Sequence, residues 1–133
     1  MTICLIDDDT ILQFIFNEIV SRLELGNESL VFSNGQEALE YFLANKTDPD
    51  RLPKLVILDI NMPVMDGWDF LNELIQHKAE FSGLPSIYLM SSSNHPMDKE
   101  KATTYQEVSG YYNKPITKDK ISQMLEESRI YLG

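Results

Sequence analysis

The stretch LVILDINMPVMDGWDFL, residues 55–71, decides the fold. Leu55 to Leu58 is an unbroken apolar run, the pattern of a strand buried on both faces of a parallel sheet. Asp59 closes the run, and Asn61, Met62 and Pro63 hold off the next helix. Trp68, Leu71, Leu74 and Ile75 then recur at helical spacing. Strand followed by helix is a βα unit, and the rest of the chain repeats it.

Upstream, Ile3-Cys4-Leu5-Ile6 stops at Asp7-Asp8-Asp9. Leu12, Ile15, Phe16, Ile19 and Leu23 mark a first helix, ended by Gly26 and Asn27. Leu30 to Phe32 reads as a second strand. Asn34 caps a second helix, with Glu37 three residues on and Leu39, Phe42 and Leu43 on one face. Asn45 to Pro53 reads as a polar surface connection with two prolines. Downstream, Ile87 to Met90 is a fourth strand, a shorter polar helix starts near Pro96, and Gly110 to Tyr112 is a fifth strand. Ile121, Met124, Leu125 and Leu132 line a last helix.

Five βα units in succession imply an α/β domain, a five-stranded parallel sheet flanked by five helices. Right-handed crossovers leave few topologies, and strand order 2-1-3-4-5 is the expected one. Such sheets bind ligands beyond the carboxyl ends of their strands, at the switch in strand order. Residues 1–133 read as one domain, long enough to bury a core without staples. The formal net charge of −10 repels phosphate backbones, so no nucleic-acid partner is expected. A lone Cys4 in an apolar run points to a reducing compartment. There is no long apolar span and no basic leader, so a cytoplasmic protein without membrane contact is expected.

The residues after strands 1, 3, 4 and 5 carry chemistry. Asp7, Asp8 and Asp9 form either a solvated helix cap or a hard-cation site, since Mg²⁺ takes oxygen ligands, usually one or two carboxylates plus waters. Asp59, at the end of the most apolar strand, would lie beside them if strands 1 and 3 are neighbours. Crowded carboxylates persist with a cation or a proton, and a carboxylate can be the nucleophile that forms an aspartyl phosphate. Ser91, Ser92 and Ser93 are a polar turn or a source of a phosphoryl-binding hydroxyl. Lys114, before Pro115, is a surface lysine or a positive charge for Asp59 or phosphate. Acid, acid, hydroxyl and lysine together are far more specific than any one alone. His77 and His95 are too few and too isolated for a transition-metal site, and Trp68 reads as packing.

The segments LIDDD (5–9), LVILDINMPVMDGWDFL (55–71), IYLMSSS (87–93) and GYYNKPIT (110–117) resemble the signature segments of response-regulator receiver domains. The resemblance spans essentially the whole chain and implies the CheY-like, flavodoxin-like fold. It implies Asp59 as phosphoacceptor, and Asp7, Asp8, Asp59 and the Asn61 carbonyl around Mg²⁺, with Asp8 a direct ligand. It also implies Lys114 as the phosphate-pairing lysine, Ser91 as the switch hydroxyl and Tyr111 as the aromatic switch residue. Such domains often carry a proline five residues before the switch hydroxyl. Here Pro85 lies six before Ser91, and Met90 occupies the fifth place. A thioether binds phosphoryl oxygen poorly, so Ser91 is the choice and Ser92 the alternative.

The function so implied is a stand-alone signalling switch, not an enzyme acting on an outside substrate. A histidine kinase or phosphotransfer protein would donate to Asp59, and the chain would catalyse its own phosphorylation and dephosphorylation. The signal would pass to a protein partner through helix 4, strand 5 and helix 5. A phosphohydrolase could also use an aspartyl nucleophile, Mg²⁺ and a lysine, but no cap insertion is visible and Asp59 follows the third strand, not the first. A non-phosphorylated scaffold is the other alternative.

Overall fold

The computed structural model describes residues 2–23, 28–92 and 96–128. Along them run β1 (Thr2–Ile6), α1 (Thr10–Ser21), β2 (Glu28–Phe32), α2 (Gly35–Ala44), β3 (Leu55–Asp59), α3 (Gly67–Gln76), β4 (Ser86–Ser91), α4 (Pro96–Ala102), β5 (Val108–Asn113) and α5 (Lys118–Glu127). A short 3₁₀ turn, Lys78–Glu80, follows α3. The expected helix stop at Gly26 and Asn27, and Ser93, His95 and Leu132, lie outside the described residues.

All four strand pairings are parallel, and the order is β2-β1-β3-β4-β5, as the sequence predicts. Every residue of β3 is buried, because it is the central strand and both its faces carry helices. Side chains alternate between two cores. Val56, Leu58, Ile87 and Leu89 meet Phe42, Phe70, Leu71 and Leu74 of α2 and α3 on one face. On the other, Leu55, Ile57, Tyr88 and Met90 meet Phe16 of α1 and Ile121, Met124 and Leu125 of α5.

The helices start where side chains satisfy their open amide groups. Asp9 accepts from the Ile11 and Leu12 amides, Asn34 from Glu37, and Thr117 from Lys120. Asp66 and Asp69 cap α3 reciprocally.

Two expectations need correction. In α1 the buried stripe is Leu12, Phe16 and Val20, one residue every four, so Ile15 is 40% exposed and Val20 takes its place in the core. The connection before β3 is not all surface: Leu52 and Pro53 are buried, and Leu52 joins the α2–α3 core.

Candidate functional site

Because β1 lies beside β3, the turn after β1 faces the end of β3. Asp7, Asp8 and Asp59 each bring a carboxylate oxygen to within 4.8 Å of the others. Asp7 is 1% exposed and Asp59 3%, whereas Asp8 is open to solvent. One oxygen of Asp7 accepts the Asp9 amide at 2.9 Å, and the other meets Lys114 Nζ at 2.9 Å. Asp59 Oδ1 accepts the Asn61 amide at 3.3 Å and lies 3.4 Å from Lys114 Nζ. Lys114 thus stands over both buried acids.

The electrostatics follow from that crowding. Burial, and then the Asp7 charge, push the Asp59 carboxyl up to about 6, against the opposing pull of Lys114 and the Asn61 amide. Burial works against the Lys114 charge, but Asp7 and Asp59 outweigh it, and its pKa rises above the ordinary lysine value. Two buried carboxylates against one ammonium leave a local excess of negative charge. The donor set is oxygen only, which suits a hard divalent cation.

Ser91 is the last residue of β4 and fully buried; Ser92 is exposed. Ser91 stands one step beyond the level of Asp59, which is in register with Met90. Its carbonyl accepts the Lys114 amide at 2.9 Å, joining the ends of β4 and β5. Asn61 is exposed, two residues past Asp59. Tyr111 is half-buried on β5 and packs against the α2–α3 core, beside an open groove of about 220 Å³ that Lys99, Ala102 and Thr103 also line. The structure therefore gathers Asp7, Asp8, Asp59 and Lys114 into one contact group, with Ser91 joined through its carbonyl. Tyr111 belongs to the adjoining surface.

Two neighbours take roles at the site that the sequence pattern does not assign to them. Gln13 Nε2 donates to the Asp7 carbonyl at 2.7 Å and to Ser33 Oγ at 3.2 Å, tying the acidic turn to the end of β2; a glutamine early in a helix reads as solvated. At Gly67 a Cβ would stand 2.6 Å from the Asp59 carbonyl oxygen and 2.8 Å from Ile60 Cα, so α3 starts hard against the backbone of Asp59. Between them Val64 has φ 70°, and the Met65 amide bonds the Pro63 carbonyl at 2.8 Å, a strained three-residue turn. Trp68 packs as expected: it is 9% exposed, stacks on Tyr105 at 5.7 Å, and has Lys101 Nζ 4.5 Å from its ring.

Comparison with known proteins agrees with this geometry. The family model for the response regulator receiver domain matches residues 3–126. The chain is 29% identical over 126 residues to the chemotaxis protein CheY of Halobacterium salinarum, covering 94% of this chain and 93% of that protein. It is 32% identical over 127 residues to the nitrate/nitrite response regulator NarL of Escherichia coli, covering 96% of this chain but 54% of NarL, about half its length. A two component response regulator from Cytophaga hutchinsonii superposes with a TM-score of 0.83 at 27% identity, covering 98% and 97% of the two chains. With the acids, the lysine and the β2-β1-β3-β4-β5 sheet in place, the chain belongs to the response regulator receiver domains, signalling switches that are phosphorylated on an aspartate.

Proposed function

We propose that Asp59 is the phosphoacceptor of a single receiver domain, residues 1–133, and that it takes its phosphoryl group from a histidine kinase or phosphotransfer protein. The observation that carries this reading is Lys114 Nζ bridging Asp7 and Asp59 at the carboxyl edge of the sheet. An Asp59 oxygen attacks phosphorus as the bond to the donor's imidazole nitrogen breaks, and the imidazole keeps that electron pair. Lys114 then turns from the carboxylates toward the phosphoryl oxygens. Its charge is held ready by the two acids.

Asp7, Asp8, Asp59 and the Asn61 carbonyl would hold Mg²⁺. The support is the crowding of three carboxylates within 4.8 Å and the raised pKa of Asp59, both of which a divalent cation relieves. When bound, the ion neutralises charge on the transferring group. Asp8, exposed beside an Asp7 whose oxygens are both engaged, is the carboxylate most free to ligate.

Ser91 is the switch hydroxyl. The support is its fully buried place at the end of β4, against the exposed Ser92. Tyr111, on the next strand, transmits the change to the face formed by α4, β5 and α5, and a protein partner reads that face. Among the described residues no helix is long and apolar enough to cross a membrane, and the cytoplasm is the proposed location.

The test is the intact mass after treatment with acetyl phosphate, with and without Mg²⁺. A single Mg²⁺-dependent phosphoryl adduct is expected. Fast turnover of many phosphate esters without an adduct would favour a phosphohydrolase, and no reaction would favour a scaffold.

A further inference from the structure

Lys114 sits just past the end of β5, on the connection to α5, and such connections are usually the most mobile parts of a fold. Here the connection is held from the side. Lys120, in the first turn of α5, reaches back so that its Nζ donates to the Asn113 carbonyl at 2.6 Å and to the Pro115 carbonyl at 2.8 Å. These carbonyls bracket Lys114. Its own amide is held by the Ser91 carbonyl at 2.9 Å. The backbone around Lys114 is therefore fixed at three points, two of them by one ammonium.

We propose that Lys120 is a positioning residue for Lys114, setting the backbone from which that ammonium reaches Asp7 and Asp59. The proposal rests on the reading of Lys114 as the group that pairs with the transferring phosphoryl. A lysine has three donors and no acceptor, so it suits two converging carbonyls; charge-assisted hydrogen bonds of this kind are roughly twice as strong as neutral ones. Placement matters because a reacting geometry displaced by about 1 Å can slow a reaction by about a hundredfold. Both carbonyls lie near solvent and can rehydrate when Lys120 is removed, so the effect falls on placement more than on folding.

The experiment is a double-mutant cycle on the rate of adduct formation from acetyl phosphate at saturating Mg²⁺. Lys120→Met, which keeps the length and loses the donors, should slow the parent by about tenfold. Lys120→Arg, which keeps donors, should stay within about twofold of the parent. In a Lys114→Ala background, Lys120→Met should change the residual rate no further, because nothing remains to be positioned. Slowing by the same factor in both backgrounds overturns the proposal and leaves Lys120 a structural residue. A parental rate in Lys120→Met overturns it outright. A parent that forms no adduct brings down the phosphoacceptor reading itself, and this proposal with it.

Discussion

Lys114 Nζ lies closer to Asp7, at 2.9 Å, than to Asp59, at 3.4 Å. The lysine is shared between two buried acids that lie at the ends of neighbouring strands. Its side chain is 17% exposed, so the pairs are largely desolvated and removing the cation strands two carboxylates. Lys114→Met should cost about 2 kcal/mol of stability at neutral pH without Mg²⁺. Excess Mg²⁺ should recover much of it. Urea denaturation with chelator and with metal measures both; equal stability of variant and parent in chelator would remove Lys114 from the charge balance.

The same crowding sets a pH dependence. Asp59 is raised from 3.8 to about 6, so the folded protein holds that proton more tightly than the unfolded chain. Its contribution to stability is complete below the unfolded value and is lost as pH rises through that window. Allowing for partial screening, the loss is on the order of 2 kcal/mol. Metal-free Asp59→Asn should therefore lose less stability than the parent across this range, and should be more stable than the parent at pH 7. Parallel curves for the two proteins would contradict the assigned cause.

Gly67 makes the start of α3 part of the site. A methyl group there would overlap the Asp59 carbonyl oxygen and Ile60 Cα, both backbone atoms that cannot swing away. Gly67→Ala should cost about 3 kcal/mol and slow phosphorylation, because relief requires Asp59 to shift. A thermal melt and an adduct rate equal to the parent's would show that the helix can retreat instead.

Phosphorylation should be felt at Tyr111 through Ser91. The probe is amide chemical-shift change with beryllofluoride, a phosphoryl mimic, and Mg²⁺. Ser91→Ala should still bind the mimic but lose most of the response in β5 and α4, a coupling of about 1–3 kcal/mol. Ser92→Ala should respond as the parent does. The reverse pattern would move the hydroxyl by one residue.

The fold was legible because its signals are periodic and local. Leu55 to Leu58 has the pattern of a doubly covered strand, and Asp9 and Asn34 sit where helices need caps. The acids and Lys114 were legible because strand order alone places strand ends together. In α1 the buried stripe differs from the expected one because Ile11, Phe14 and Ile15 are as apolar as the buried Leu12 and Phe16, and so wide an apolar arc does not declare its inward centre. Gln13 and Lys120 escaped because they act on backbone carbonyls, which any side chain sequence leaves unseen. The buried Leu52 and Pro53 were hidden in a segment whose polar composition describes its neighbours.

The most direct measurement is the site of the adduct. The parent is treated with acetyl phosphate and Mg²⁺, digested with protease at acidic pH to preserve the acyl phosphate, and mapped by mass spectrometry beside Asp59→Asn. Asp59 as sole phosphoacceptor predicts one phosphoryl group, in the peptide that holds Asp59, and none in the variant. A phosphoryl group on Asp7, Asp8 or any other residue of the parent, or an undiminished adduct in Asp59→Asn, would contradict it.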